Sequence, residues 1–140
     1  MNRARVLLAD DHPDAMEQLS GLLQPEFEVV GHVQDGQALV SAAEALSPDV
    51  IVSDISMPGM DGLAAAARIL RGNPAARIVF VTVCGDPVLV ERGLAVGALG
   101  YVLKLQAGND LVPAVRAALR GERHVSGRSP NDLKDLDAPQ

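Results

Sequence analysis

The chain has 140 residues and a formal charge of −6, the size of one domain and a charge that disfavours nonspecific binding to phosphate backbones. Its aromatics are Phe27, Phe80 and Tyr101, with no Trp, too few for a stacking platform, so direct nucleic-acid binding by this chain is disfavoured. Nearly half the residues are apolar, so the core falls to Val, Leu, Ile and Ala, which suits an α/β layer structure.

Val6-Leu7-Leu8-Ala9 reads as a buried strand that ends in acid, at Asp10-Asp11. Pro13 suits the first position of a helix, and Met16, Leu19, Leu22 and Leu23 form its apolar stripe. Phe27 to Val30 is a second strand, and Asp35-Gly36 opens a helix with Leu39, Ala42, Ala43 and Leu46 inward. Ile51-Val52-Ser53-Asp54, between the breakers Pro48-Asp49 and Met57-Pro58-Gly59, is a buried strand with a carboxylate at its tip.

An alanine-rich helix follows from Leu63 and stops near Gly72-Asn73-Pro74. Arg77 to Val83 is a fourth strand, and Asp86-Pro87 caps a helix from Val88 to about Val96. Leu99 to Leu103 is a fifth strand with Lys104 at its end. The last helix is expected near Asn109, because Pro113 is taken to be tolerated only in a first turn, and carries Leu111, Val115, Ala118 and Leu119 inward. Residues 1–125 form the predicted domain, and 126–140, mixing Ser, Pro, Asn and Asp around two leucines, read as a flexible tail.

Five strands alternating with five helices imply a doubly wound, five-stranded parallel sheet covered on both faces, for which the flavodoxin-like order 2-1-3-4-5 is expected. In such a sheet ligands collect at the carboxyl ends of the strands. That order brings Asp10, Asp11, Asp54, Thr82 and Lys104 to one rim. Like charges about 4 Å apart cost on the order of 4 kcal/mol per pair at an effective dielectric near 20, so three clustered carboxylates call for a cation or a raised pKa. Mg2+ answers with oxygen ligands, and Lys104 supplies a second countercharge. A carboxylate in that setting is equipped to attack phosphorus and form an aspartyl phosphate.

These residues resemble the receiver domains of two-component response regulators, over about Arg5 to Val125. The resemblance rests on Asp10-Asp11, on Asp54 within Asp54-Ile55-Ser56-Met57-Pro58-Gly59-Met60-Asp61-Gly62, on Thr82, and on Gly97-Ala98-Leu99-Gly100-Tyr101-Val102-Leu103-Lys104. The absence of proline after Lys104 and the spacing of Ala114 to Gly121 are most similar to the NarL/FixJ subgroup.

The resemblance implies that Asp54 is the phosphoacceptor for a histidine kinase. It implies that Asp10, Asp11, the Asp54 carboxylate and the Ser56 backbone carbonyl hold Mg2+. Thr82 would bond the phosphoryl oxygens, Lys104 would pair with the phosphate, and Tyr101 would swing inward as Thr82 moves. The output would be a shift of the surface made by the fourth helix, fifth strand and fifth helix; separately, the apolar helical stripes, with Val88, Leu89, Val90 and Leu94 on the fourth helix, lead to an expectation of phosphorylation-dependent homodimerisation. Such a protein is a signalling switch, not an enzyme acting on a separate substrate. Most NarL-like regulators continue into a helix-turn-helix. No DNA-binding domain is read in this chain, whether it stands alone or belongs to a longer regulator.

Cys84 is the single cysteine, which fits a reducing compartment and a cytoplasmic protein. No secretion signal precedes the first acids, and no apolar run reaches bilayer length, so no membrane association is expected. Taken singly, Asp10-Asp11 read as a capping turn, Thr82 as a β-former, Lys104 as a solvated strand end and Tyr101 as a surface filler. Cys84 reads as a bystander, and His12, His32 and His124 lack ligand spacing, so surface or capping roles are expected for them.

Two other classes compete. A phosphohydrolase of the haloacid-dehalogenase type also uses an aspartyl nucleophile, but its second acid stands two residues on, where this chain has His12. A flavodoxin-like cofactor binder would have a neutral, hydroxyl-rich phosphate cradle after the first strand, where this chain has two acids.

Overall fold

The structure is a computed structural model and describes residues 3–126. The elements run β1 Arg5–Ala9, α1 Pro13–Leu23, β2 Glu28–Val33, α2 Gly36–Leu46, β3 Val50–Ser53, α3 Gly62–Gly72, β4 Ile78–Thr82, α4 Pro87–Ala95, β5 Gly100–Leu103, α5 Ala107–Leu119 and β6 His124–Val125. A single 3-10 turn, Lys104–Gln106, joins β5 to α5. All pairings are parallel and the order is β2-β1-β3-β4-β5-β6. The flavodoxin-like α/β sheet of order 2-1-3-4-5 is therefore present, with one short strand added at its edge.

Strand alternation sorts the β-branched residues onto two faces. Leu7, Ile51, Ile78, Phe80 and Tyr101 pack under α2, α3 and α4, against Leu39, Leu63, Ile69, Val90 and Leu94. Val6, Leu8, Val50, Val52, Val79, Val81 and Val102 pack against Leu19 and Leu23 of α1 and Leu111, Val115 and Ala118 of α5. Covered on both sides, the central strands are apolar up to the polar residues Ser53 and Thr82 at the ends of β3 and β4, as expected of buried parallel strands.

The helix starts follow local chemistry. Pro13 and Pro87 occupy first-turn positions, where a missing N–H costs nothing. Asp35, Asp61 and Asp86 cap α2, α3 and α4 through carboxylates that accept from Ala38, Ala64 and Val88 amides at 2.8 Å each. A guanidinium from α5, Arg116, grips Glu26 in the turn after α1 through two N–H donors.

Three expectations need correction. The fifth helix starts at Ala107 and carries Pro113 in its interior, where proline costs on the order of 3 kcal/mol. Leu111, Ala114, Val115 and Ala118 on the same helix are fully buried; each buried Leu or Val contributes about 1.5–3 kcal/mol, so packing outweighs the missing bond. The fourth strand stops at Thr82, leaving Val83 outside it and 79% exposed. Ser126, assigned to the tail, instead bonds its amide to the Tyr101 carbonyl and closes β6. Residues 127–140 of the predicted tail lie outside the described residues.

Candidate functional site

Register decides what meets at the rim. Ala9 of β1 pairs with Ser53 of β3, so the residues that follow, Asp10 and Asp54, leave the sheet side by side. Thr82 of β4 pairs with Leu103 of β5, so Lys104 emerges one step beyond. The acids and the lysine therefore converge because adjacent strands end in step.

The chain is held tightly around Asp54. Its amide donates to the Ala9 carbonyl at 2.9 Å, and its own carbonyl accepts from the Ser53 hydroxyl at 2.8 Å. Gly62, which opens α3, passes so close that a Cβ there would lie 2.1 Å from the Asp54 carbonyl oxygen. Only glycine allows the β3–α3 loop to fold back over the acid. Gly36 plays the same part for α2, where a Cβ would sit 2.1 Å from the Met60 carbonyl oxygen.

Asp54 is 4% exposed and Asp10 1%. Lys104 Nζ lies 3.0 Å from Asp54 Oδ2 and 2.8 Å from Asp10 Oδ2, so one ammonium serves two buried carboxylates. Asp54 Oδ1 accepts from the Ser56 amide at 3.3 Å. Burial pushes the Asp54 carboxyl above its usual range, against the pull of the Lys104 ammonium, and the Asp10 charge adds to the rise. Lys104 is itself desolvated, yet its bonds to Asp10 and Asp54 prevail and hold its ammonium above the ordinary lysine range.

A third acid completes the cluster. The Asp11 Oδ1 atom is buried and takes no hydrogen bond among the described residues, although His12 Nδ1 stands 3.1 Å away. One ligand-type atom from each of Asp10, Asp11, His12 and Asp54 fits within 4.8 Å of the others. Hard carboxylate oxygens of this number, one of them unbonded, fit the donor set of a divalent cation such as Mg2+.

Thr82 and Tyr101 lie under the same rim. Thr82 is 3% exposed, and its Oγ1 accepts from the Cys84 amide at 3.4 Å. Tyr101 is 1% exposed, which overturns the reading of it as a surface filler. Its hydroxyl donates to the Cys84 carbonyl at 2.6 Å, and burial raises its pKa to about 12, helped by the negative charge of Cys84, Asp86 and Asp54 nearby.

Some participants were missed in the sequence. Cys84, expected to be a bystander, links Thr82 to Tyr101 through its backbone while its thiol is exposed. Only its position two residues after Thr82 hinted at this. His12 sits at the N-cap of α1 without a side-chain cap bond and turns its ring onto the acids instead. Adjacency to Asp10-Asp11 was the available signal. Ser126 reaches the rim from β6: its hydroxyl accepts from the Leu103 amide at 3.1 Å and donates to Asp110 Oδ2 at 2.8 Å.

Comparison with known proteins bears on this geometry. A family model described as the response regulator receiver domain matches residues 6–116. The chain is 41% identical over 126 residues to the transcriptional regulatory protein LiaR of Bacillus subtilis, covering 89% of this chain and 60% of the relative. It is 36% identical over 124 residues to the response regulator GacA of Pseudomonas viridiflava, covering 87% and 58%. The chain thus spans about three fifths of the length of these curated relatives.

Among solved structures, a LuxR-family two-component response regulator from Aurantimonas superposes with a TM-score of 0.84 at 30% identity, covering 97% of this chain and 96% of that one. The signal receiver domain of the putative response regulator NarL from Mycobacterium tuberculosis gives 0.81 at 33% identity, covering 87% and 100%.

Proposed function

This chain belongs to the response regulator receiver domain family, and from that premise we propose that Asp54 accepts a phosphoryl group from the phosphohistidine of a histidine kinase. The family is one of two-component signalling domains and not of classical enzymes. The supporting observation is the Asp54 carboxylate at the tip of β3, sharing the Lys104 ammonium with Asp10 at 3.0 and 2.8 Å.

One Asp54 oxygen attacks phosphorus, the bond to the kinase imidazole breaks, and an acyl phosphate forms. Asp10, Asp11, Asp54 and the Ser56 carbonyl would hold Mg2+, which when bound neutralises charge on the transferred group. Lys104 then exchanges a carboxylate partner for a phosphoryl oxygen. Thr82 already accepts from the Cys84 amide, so its hydroxyl proton is free to donate to another phosphoryl oxygen.

That donation draws Thr82 away from Cys84, whose carbonyl holds the Tyr101 hydroxyl. Because Tyr101 is already buried, its part in the switch is a change of partner at Cys84 and not an arrival from the surface. The added charge of about −1.5 to −2 biases two arrangements of the α4–β5–α5 face. Self-association through that face, where Val88 of α4 is 64% exposed, is one output. A cytoplasmic location is part of the same proposal, supported by the proposed kinase partnership; no helix of the described residues is long and apolar enough to cross a membrane.

Incubation with acetyl phosphate and Mg2+ is expected to give an acid-stable, base-labile phosphoprotein, and Asp54→Asn is expected to abolish it. Full labelling of Asp54→Asn would refute the assignment.

A further inference from the structure

We propose that His12 makes the acidic site a mixed nitrogen–oxygen site that takes borderline divalent transition-metal ions, with Zn2+ as the representative, in addition to Mg2+. The inference rests on the receiver reading of the same carboxylates and concerns a residue that the reading leaves unused.

Three observations carry it. First, the imidazole is not spent on the helix it opens. His12 is the N-cap residue of α1, yet its side chain makes no cap bond. Its amide donates to Asp10 Oδ1 at 2.9 Å, closing a tight turn that lays the ring over the two acids.

Second, the spacing is that of neighbouring ligands. His12 Nδ1 is 3.1 Å from Asp11 Oδ1 and 3.3 Å from Asp10 Oδ1. Bonds of about 2.1 Å to one ion put adjacent ligand atoms about 3.0 Å apart in octahedral and about 3.4 Å apart in tetrahedral geometry. The measured pair falls between those values. Asp54 joins within the same 4.8 Å cluster, so four side chains from the turn after β1 and the tip of β3 converge.

Third, the cluster buries more carboxylate charge than its hydrogen bonds satisfy. The Asp10 side chain is fully buried, and the Asp11 Oδ1 atom is buried with no hydrogen bond among the described residues. Lys104 serves Asp10 Oδ2 and Asp54 Oδ2. The opposite oxygens take one backbone amide each, His12 N–H on Asp10 Oδ1 and Ser56 N–H on Asp54 Oδ1, which leaves Asp11 Oδ1 as the acceptor without a hydrogen bond.

Ligand chemistry selects the class. Oxygen-only sites suit Mg2+, whereas imidazole suits Zn2+, Ni2+ and Cu2+, and divalent affinity at a nitrogen site rises along that series towards Cu2+. Nδ1 binds with its proton moved to Nε2, on the face of a ring that is 68% exposed. His12 is thus a specificity-determining residue for the ion: Mg2+ needs only the oxygens, and the transition ion gains from the nitrogen.

The test is calorimetric titration of the whole chain with ZnCl2 and, separately, MgCl2, in a Cys84→Ser background so that the exposed thiol does not compete. His12→Gln is expected to weaken Zn2+ at least tenfold and to leave Mg2+ within twofold. In the same samples, the His12 Nδ1 resonance is expected to shift on adding Zn2+ and not on adding Mg2+. Equal Zn2+ affinity in both proteins, or an Nδ1 resonance that Zn2+ leaves in place, overturns the role of His12, the ring then being only an ion-pair partner of the two acids. Failure of either protein to bind Mg2+ would instead overturn the receiver reading beneath it.

Discussion

At the scale of single residues, the site trades stability for chemistry. Asp10, Asp11 and Asp54 crowd together with one lysine between the two buried acids, and burial holds the Asp54 carboxyl above its ordinary range. A raised carboxyl pKa means that the folded state binds the proton more tightly than the unfolded state. Stability therefore rises as pH falls through this group and is reduced where it is ionised. Asp54→Asn is accordingly expected to be more stable than the native chain at pH 7 in EDTA, by about 1 kcal/mol or a few degrees in Tm. Saturating Mg2+ is expected to close the gap, and differential scanning calorimetry with and without the ion reads both numbers. A lower Tm for Asp54→Asn in EDTA would contradict it.

Tyr101 carries the same sign at high pH. Its phenol is held up to about 12, against about 10 in an unfolded chain. The stability it contributes is complete below pH ~10 and is lost as pH climbs towards 12. Tyr101→Phe is expected to lose about 1 kcal/mol at neutral pH with the Cys84 carbonyl bond, and to show a flatter stability profile between those limits. Urea titrations at a series of pH values measure this, and an unchanged slope would count against a buried, bonded phenol.

Elements show what sequence makes legible. β1, β3 and β4 were readable because buried parallel strands are short β-branched runs, and α1 to α4 because proline, aspartate and glycine mark their ends. The fifth helix was started two residues late because the rule for Pro113 weighs a lost bond and cannot see Leu111 and Val115 buried against the sheet. β6 has two residues, too few for any period, and is fixed by long-range bonds such as His124 N–H to Leu99 O at 2.9 Å. Those bonds tie the end of the described chain to the strand that carries Tyr101 and leads into Lys104. The apolar surplus on α4 was visible in Val88, Leu89, Val90 and Leu94. The fold buries Val90 and Leu94 and leaves Val88 64% exposed. Beryllofluoride with Mg2+ is therefore expected to raise the sedimentation coefficient from a monomer towards a dimer, and Val88→Glu to prevent the shift. Identical sedimentation with and without beryllofluoride would remove self-association as an output.

For the whole molecule, the sheet acts as a gathering device. Asp10, Asp54 and Lys104 are separated by up to 94 positions in the chain, yet strands that end in step deliver them to one rim. This much was legible because alternating strands and helices make a parallel sheet, whose carboxyl strand ends lie on one rim. What stayed hidden was set by side-chain direction: the His12 ring over the acids, the Cys84 backbone between Thr82 and Tyr101, and the glycine at 62 that admits the loop over Asp54. Position beside Asp10-Asp11, Thr82 or the Asp54 motif was the only signal for each, since each is a contact of the finished fold.

The central claim is that Asp54, alone among the clustered acids, is the group that takes phosphorus. Borohydride reduces an aspartyl phosphate to homoserine, so treatment with acetyl phosphate and Mg2+ followed by reduction and peptide mass spectrometry reports the acylated residue directly. The expected result is homoserine at position 54 and unmodified aspartate at positions 10 and 11. Homoserine at 10 or 11, or none anywhere when Mg2+ is bound, would contradict the account.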